Sequence, residues 1–405
     1  MLSIVSYLKE KGIHRSFQVL WQYKLPEMQT HLIARLVKGR PLEDKIIIES
    51  HNDFDCNGGA LYDWLIDNGY NEHVKIVWRL YHSIERSQLP ENVSCVPVYG
   101  PSWKKAWDVC TARWLTSDCT VVDKVRDDQV SIYMTHGGFG LKDCHGLIDI
   151  PTSVDYVLSA SRGLDEWTNW LYALDSEKTK LAHVGFPSLT RLYEKRHSKE
   201  YSFEPFEGKR ILWMPTFRQG VAYGREDSSG SYPYGIPLIR DKGDLHKLVS
   251  VLRDSGVQLI VKLHPKQDLS MISDDIPSEI KFITGDSIKG YSFDNYDLML
   301  EADALISDYS GAIYEYMVLN RPIAFVLSDI EQYSLGLIED AERYMPGPKV
   351  YTFDDLVAFI HCAVDGVDAY KEQRTEFLSW LYEPGSERSC ERVAALLGLS
   401  DSDTK

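Results

Sequence analysis

The sequence predicts an α/β protein made of two successive Rossmann-like domains, and three observations carry that prediction. Short apolar runs alternate with segments of helical periodicity, which is the pattern of βαβ units on a parallel sheet. The alternation comes in two blocks, separated at 196–209 by a polar stretch that contains Pro205 and Gly208. A chain of 405 residues is also long enough for two such domains, each with its own core.

The first block begins at Lys45. A strand is predicted at 46–48, then a polar loop with Asn57, an amphipathic helix at 60–67 and a strand at 74–80. The alternation continues through 93–99, 104–111, 113–117, 131–135, 156–159 and 181–185. We therefore expect the first Rossmann-like domain to span residues 41–200.

The second block begins with an apolar strand at 210–214. It continues with helices at 245–253, at 294–302 and from Gly311, and with strands at 257–263, 281–284, 304–307 and 322–327. We expect the second domain, with C-terminal helices, to span residues 201–405. No short-period repeat is present, which excludes solenoids and propellers.

Residues 1–40 differ in charge from the rest of the chain. Their seven basic and two acidic residues give +5, so the other residues carry −21 of the total of −16. Between these charges lie Trp21, Met28, Leu32, Leu36 and other apolar residues with partly helical spacing. Two interpretations stay open: a basic amphipathic segment on an anionic membrane surface, or a helix docked on the next domain.

Composition excludes several classes of protein. With 44 Lys and Arg against 60 Asp and Glu, the acidic body disfavours nucleic acid as the main partner. The seven Cys are scattered without a C-x-x-C pair, so neither a disulfide framework nor a zinc knuckle is predicted, and a reducing cytoplasm fits best. Neither a secretory signal nor a membrane-spanning apolar run is recognisable.

Polar clusters that directly follow predicted strands carry the functional prediction, because open α/β sheets bind ligands beyond the carboxyl ends of their strands. There are four such clusters, at 135–142, 214–218, 262–265 and 307–311. In the last, Ser310 and Gly311 open a helix, where free backbone N–H groups favour a phosphate; a simple Ser N-cap is the alternative. Two interpretations of Glu315 stay open: its carboxylate accepts hydrogen bonds from ribose hydroxyls, or it only interacts with the dipole of the helix.

Two histidines and an arginine stand out in the other clusters. His136 lies in a glycine-rich loop with Lys142 downstream, and its imidazole suits a general base at neutral pH; an incidental His in a flexible turn is the alternative. His264 precedes Pro265 at the predicted rim of the sheet, where it is either functional or structural. Arg218 offers a planar fork for phosphate oxygens or a surface ion pair.

The order of these motifs resembles the teichoic acid CDP-glycerol glycerophosphotransferase family. The motifs are His136-Gly137 with Leu141-Lys142, then Pro-Thr-Phe-Arg at 215–218, Lys-Leu-His-Pro at 262–265 and Ser-Asp-Tyr-Ser-Gly at 307–311. The resemblance implies a GT-B fold, with two Rossmann-like domains facing each other across a cleft. It implies transfer of a polyol phosphate from a CDP-polyol to a hydroxyl of a cell-surface glycopolymer, with release of CMP.

The resemblance also implies roles for individual residues. His136 would deprotonate the acceptor hydroxyl in the first domain, and His264 would assist the phosphate or the leaving CMP. The CDP site in the second domain would be formed by Thr216, Arg218, Ser307, Asp308, Ser310, Gly311 and Glu315. Family members read His-Gly-Thr-Pro-Leu-Lys, whereas the loop at 136–142 has one extra residue and lacks Thr-Pro.

Several expectations about partners follow. The donor would be a CDP-polyol and the acceptor a glycopolymer or a lipid-linked molecule, which places the protein in the cytoplasm, with contact to the inner face of the membrane as an open alternative. No permanently bound cofactor or metal site is expected. Asp53 and Asp55 match a D-x-D pattern, but they belong to the opening loop of the acceptor half, so a divalent-metal requirement stays open. The alternatives are a GT-B glycosyltransferase that uses a CMP-sugar and a non-catalytic nucleotide-binding component of a polymer assembly complex.

Overall fold

Contacts between residues divide the chain into two compact units. The structure, a computed structural model of the chain, describes residues 17–51, 53–82, 89–198, 204, 206–220, 225–226, 228–230, 232–264, 267, 272, 276–284 and 293–399. The first unit consists of residues 1–137, 146–190 and 384–405. The second consists of residues 138–145 and 191–383.

The first unit is built on a seven-stranded sheet with the order β3-β2-β1-β4-β5-β6-β7, in which all neighbouring strands are parallel. Its strands are β1 Glu43–Glu49, β2 Lys75–Leu80, β3 Val93–Pro97, β4 Ala112–Ser117, β5 Val130–Tyr133, β6 Tyr156–Leu158 and β7 Lys180–Ala182. Ile46, Ile47 and Ile48 of β1 are fully buried, as expected for a parallel strand covered on both faces.

The second unit is built on a six-stranded parallel sheet with the order β12-β11-β8-β13-β14-β15, and a two-stranded hairpin pairs β9 with β10. Its strands are β8 Lys209–Met214, β9 Gln219–Gly220, β10 Arg225–Glu226, β11 Val257–Lys262, β12 Ile280–Ile283, β13 Ala304–Ser307, β14 Ile323–Val326 and β15 Lys349–Val350. Strands β8, β11 and β13 lie side by side, which places the loops that follow them at one edge.

Helices connect and cover these strands. They are α1 Leu25–Val37 after a π-helical turn Leu20–Lys24, α2 Cys56–Asp67, α3 Trp103–Thr111, α4 Asp165–Tyr172, α5 Pro187–Ser198, α6 Lys242–Asp254, α7 Asn295–Glu301, α8 Ala312–Tyr316, α9 Phe353–Asp365, α10 Lys371–Leu381 and α11 Ser389–Leu397. Short 3-10 turns occur at Tyr70–Glu72, Arg162–Leu164, Met317–Leu319, Ile330–Gln332, Ala341–Tyr344 and Ser386–Arg388.

Helix α1 is docked on the first unit. Ile33 and Val37 pack against Ala106 and Cys110 of α3, and the Gln29 side chain accepts a hydrogen bond from the backbone N–H of Ser102. The docking interpretation of the N-terminal segment therefore describes residues 25–37. Residues 1–16, with three of its basic residues, lie outside the described part of the chain.

The two units differ from the domain boundaries expected from the sequence at 200/201. The first unit ends at Thr190, within α5, and the chain returns to it at Pro384. Helix α11 lies in the first unit, where the Trp114 indole donates to the carbonyl of Leu397 and Arg392 donates to the carbonyl of His183. Polarity and turn residues at 196–209 predict a boundary along the chain, but they carry no information on where the last helix packs.

Candidate functional site

His136 follows β5 on a backbone that is fixed by its neighbours. Thr135 has φ +63°, a left-handed conformation that is strained for a β-branched residue. The Thr135 hydroxyl donates to the carbonyl of Gly137 at 2.8 Å, and the Asn57 amide donates to the carbonyls of Met134 and Thr135. These bonds position an exposed imidazole at the carboxyl edge of the first sheet.

A second histidine lies against His136. The rings of His51 and His136 are 3.9 Å apart between centroids, with planes inclined by 34°. The backbone N–H of His51 donates to Asp118 at 2.7 Å, and the N–H of Gly58 donates to the other oxygen of that carboxylate at 2.9 Å. Asp118 is fully buried, and burial raises its pKa well above the ordinary value.

Sequence reasoning missed both His51 and Asp118, although a signal was available. His51 comes two residues after β1 and Asp118 directly after β4, the neighbouring strand. Polar residues at these positions meet at the same edge of a parallel sheet.

The later part of the His136 loop packs with the second unit. Phe139 is buried in an aromatic cluster, and its ring centroid lies 4.8–6.4 Å from the centroids of Tyr314, Tyr344, Phe377 and Trp380. Lys142 pairs with Leu337 in an isolated antiparallel bridge and places its ammonium 6.0 Å from the Tyr333 ring. The extra residue and the missing Thr-Pro thus coincide with a loop anchored by an aromatic side chain.

In the second unit, the structure brings three of the sequence motifs together. Residues 215–218, 263–264 and 308–311 follow β8, β11 and β13, which are adjacent strands. The ring of His264 lies 5.4 Å from the ring of Phe217, and the side chain of Gln267 accepts a hydrogen bond from the backbone N–H of Arg218. Pro265 lies outside the described residues.

Arg218 is the centre of a fully buried ionic network. Its guanidinium donates to Asp329 at 2.7 and 3.2 Å, to Asp308 at 2.7 Å and to the carbonyl of Thr216 at 2.9 Å. Burial opposes the charge of Arg218, but the two carboxylates outweigh burial and raise its pKa. Asp308 also accepts hydrogen bonds from the backbone N–H and the hydroxyl of Thr216.

The predicted donor residues thus fall into two groups. Thr216, Arg218, Ser307 and Asp308 are buried, and the Ser307 hydroxyl donates to the carbonyl of Met214. Ser310, Gly311 and Glu315 are half-buried at the start of α8. The sequence predicts that Arg218 contacts phosphate oxygens. In the structure, four of its N–H groups instead donate to protein oxygens.

Among the described residues, no three His, Cys, Asp or Glu side chains are grouped closely enough to hold a metal ion. In the same part of the chain, no helix has the length and apolar character needed to cross a bilayer.

Comparison with known proteins decides the family. Residues 32–398 match the sequence profile of the CDP-Glycerol:Poly(glycerophosphate) glycerophosphotransferase family. The chain belongs to this family. It is 24% identical over 404 residues to the teichoic acid glycerol-phosphate transferase of Staphylococcus aureus (strain NCTC 8325 / PS 47), covering 91% of this chain and 98% of that protein. It is also 24% identical to a teichoic acid poly(glycerol phosphate) polymerase of Bacillus spizizenii (strain ATCC 23059 / NRRL B-14472 / W23), over 82% and 86% of the two chains.

Solved structures show the fold. A histidine-to-asparagine variant of the wall teichoic acid polymerase TagF matches with a TM-score of 0.72 at 16% identity, over 100% of this chain and 97% of the other. The predicted family, the GT-B fold class of two Rossmann-like domains and the activity of a glycerophosphotransferase are confirmed.

Proposed function

We propose that this enzyme transfers glycerol phosphate from CDP-glycerol to a hydroxyl of a wall-type glycopolymer or its lipid-linked precursor. The observation that carries the proposal is the placement of His136: an exposed imidazole on a strained, hydrogen-bonded backbone at the carboxyl edge of a sheet, within a family defined by this transfer. A structure of a TagF variant from crystals soaked with CDPG supports the same donor class.

The reaction needs few chemical groups. The acceptor oxygen attacks the β-phosphorus of CDP-glycerol, the acceptor proton goes to His136, and the bond from that phosphorus to the bridging oxygen breaks to release CMP. His264 assists the departing phosphate in this scheme. Ser310 and Gly311, at the start of α8, offer N–H groups to the diphosphate, and Glu315 faces the ribose.

We assign Arg218 and Asp308 a positioning role within this proposal. Their network joins the loops that follow β8 and β13, so it fixes Thr216 and the start of the 308–311 loop. Ser307 anchors the end of β13 to Met214 in the same way. The nucleotide then meets preformed loops, which lowers the ordering cost of binding.

A panel of donors tests the proposed reaction. The full chain is incubated separately with CDP-glycerol, CDP-ribitol and CMP-sugars in the presence of a polyol-phosphate acceptor. The products are identified by mass spectrometry. CMP release with a new phosphodiester from CDP-glycerol is the expected result. A glycosidic bond formed from a CMP-sugar, or CDP-glycerol binding without any turnover, would overturn it.

We also propose that the enzyme contacts an anionic membrane surface through α1 and the turn before it. Trp21, Met28 and Leu36 are 60%, 53% and 74% exposed on these helices, although the opposite face is docked. Arg35, Lys38 and Arg126 line an adjacent open groove of about 500 Å³, which Asp127 and Asp128 also line. Exposed apolar side chains beside cations suit an interface of acidic lipids.

A further inference from the structure

Arg79, at the end of β2, is a buried guanidinium without a counter-ion in contact. It is 9% exposed, its Nε has no hydrogen-bond partner, and within the described part of the chain no carboxylate lies within ion-pair distance. The other buried arginines described, Arg210, Arg218 and Arg374, each hold a carboxylate. A buried charge without a counter-ion destabilises the folded state, so the unpaired guanidinium of Arg79 indicates a binding site for an anionic ligand.

The neighbouring carboxylate is already engaged. Glu49 of β1 lies beside Arg79 in the register of the sheet. Its oxygens accept hydrogen bonds from the Tyr81 hydroxyl at 2.6 Å and from the backbone N–H groups of Cys119 and Thr120 at 3.2 and 3.0 Å. Glu49 therefore acts on Arg79 through space, without a hydrogen bond.

A second buried cation increases the positive charge. Lys105 of α3 is 6% exposed, and its ammonium donates to the carbonyls of Val98 and Gly100 at 2.9 and 2.8 Å. Burial and the charge of Arg79 lower the pKa of Lys105 to about 8. Arg79 and Lys105 are thus two buried cations close enough to repel each other, and among the described residues neither forms an ion pair with a carboxylate.

The site lies where ligands bind to parallel sheets. Arg79 is next to the carboxyl end of β2, and the Tyr81 ring beyond it packs edge-on against Tyr99 at 5.7 Å. Tyr99 in turn packs against Tyr23 at 5.8 Å, and these two rings are 40% and 50% exposed. Exposed aromatic rings beside a buried cation are suited to a ligand with both a polyol and an anion.

We propose that Arg79 binds a phosphodiester of the acceptor. This rests on the proposed function, because each transfer leaves a phosphodiester on the product, so an acceptor that has been extended once carries this anion. A guanidinium matches two phosphate oxygens with its planar fork, and the anion compensates the buried charge. The enzyme thereby distinguishes acceptors that already carry polyol phosphate.

Kinetics with paired acceptors test the proposal. One acceptor carries a phosphodiester next to its terminal glycerol, and the other carries a neutral methyl phosphotriester there. Arg79→Met is expected to raise KM for the charged acceptor roughly 10- to 100-fold, with KM for CDP-glycerol and for the neutral acceptor unchanged. Arg79→Lys restores part of the loss. Arg113→Met, which removes an exposed arginine paired with Asp44, is the control.

Binding without turnover separates this proposal from the reaction itself. Titration of the full chain with glycerophosphoglycerol is followed by calorimetry, and Arg79→Met is expected to abolish the heat of binding while leaving Tm unchanged or higher, since an unpaired buried charge is removed. Two results would overturn the proposal. One is a lower Tm of Arg79→Met together with an equal rise in KM for both acceptors, and the other is phosphodiester binding that survives Arg79→Met. If no CDP donor turns over, the titration still decides on Arg79.

Discussion

At the scale of single residues, His136 is constrained by its backbone and by its ring. Thr135 is held at φ +63° by two side-chain hydrogen bonds, and the His51 ring stacks on the imidazole itself. A residue held in this way keeps one orientation before substrate arrives. Pre-organisation of a general base reduces the reorganisation needed in the transition state.

We predict that His136→Ala lowers kcat about 10²- to 10⁴-fold, because the acceptor proton then lacks its base. CDP affinity, measured by calorimetry, is expected to stay within about twofold, since the donor motifs lie in the second unit. His73→Ala, at an exposed histidine of the first unit, serves as the control. A near-normal kcat in His136→Ala would remove this residue from the mechanism.

We predict that His51 positions His136 through ring contact. His51→Ala should lower kcat about 2- to 10-fold, the size expected for one aromatic pair, with KM for CDP-glycerol unchanged. His51→Phe keeps a flat ring and should recover most of kcat. Equal losses in both variants would show that a nitrogen of His51 matters, and the stacking role would then be wrong.

The sequence predicted His136 but not His51 for a physical reason. A glycine-rich loop after an apolar strand is visible in one dimension, as is a histidine within it. The stacking partner depends on strand order: β1 and β5 flank β4, so their loops converge at one edge. Likewise, burial of Arg218 depends on Asp308 and Asp329, which are 90 and 111 residues away in the chain.

At the scale of secondary structure elements, the Arg218 network joins three loops of the second sheet. Arg218 follows β8, Asp308 follows β13 and Asp329 follows β14. The Tyr309 hydroxyl also donates to Asp329 at 2.9 Å. Loops that are joined through buried charges tolerate the loss of one partner poorly, because the others remain buried without compensation.

We predict that Arg218→Ala costs about 3–5 kcal/mol of unfolding free energy at pH 7 and weakens CDP binding. Urea denaturation and calorimetry measure the two effects. Arg253→Ala, which removes an exposed pair with Glu279, is the matched control and should cost at most about 1 kcal/mol. Unchanged stability in Arg218→Ala would contradict the network; unchanged CDP affinity in a folded variant would place the donor elsewhere.

The same network predicts a pH dependence. Burial raises the pKa of Asp329, but the hydrogen bonds and charge of Arg218 outweigh it, so the folded pKa lies below the ordinary value. Stability from Asp329 is therefore present above its unfolded pKa of about 3.9 and is lost as pH falls through the lower folded value. Asp329→Asn should flatten this acid limb of the unfolding free energy.

We predict salt-sensitive binding of the full chain to anionic vesicles, through α1 and its preceding turn. Deleting residues 1–40 would expose the core beneath Ile33 and Val37, so surface substitution is the better test. Trp21→Ser combined with Leu36→Ser should reduce co-sedimentation at low salt without changing Tm. Salt of about 0.5 M should release the wild type, because exposed charges are screened. Equal vesicle binding by the wild type and the double variant would show that this surface does not contact the membrane.

The strands of both sheets could be predicted because buried parallel strands are short, nearly continuous apolar runs. The β9–β10 hairpin and β15, with two residues per strand, were missed because so short a strand has no periodicity. The anchoring of Phe139 was also missed, since a lone aromatic residue between glycines gives no sign of four aromatic partners that lie 175 or more residues later.

At the scale of the whole molecule, the chain leaves the first unit and returns to it. The return is closely packed at the turn before α11, where Gly185 meets Ser386 and Ser389. The Ser389 hydroxyl donates to the carbonyl of Ser386 at 2.6 Å, and the N–H of Cys390 donates to the Thr190 hydroxyl. The last 16 described residues thus stabilise a unit whose sheet ended some 200 residues earlier.

We predict that Gly185→Ala destabilises the first unit by more than the backbone strain of a left-handed alanine alone would. Gly185 has φ +77°, and a Cβ there would overlap the Ser389 hydroxyl and lie 3.3 Å from Ser386 Cα. Gly146 has φ +70° with nothing within 4 Å of its Cβ position, so Gly146→Ala is the matched control. We expect about 1–2 kcal/mol for Gly146→Ala and a further 1–3 kcal/mol or so for Gly185→Ala, measured by urea denaturation. Equal costs for the two variants would show that the C-terminal segment does not pack on Gly185 in solution.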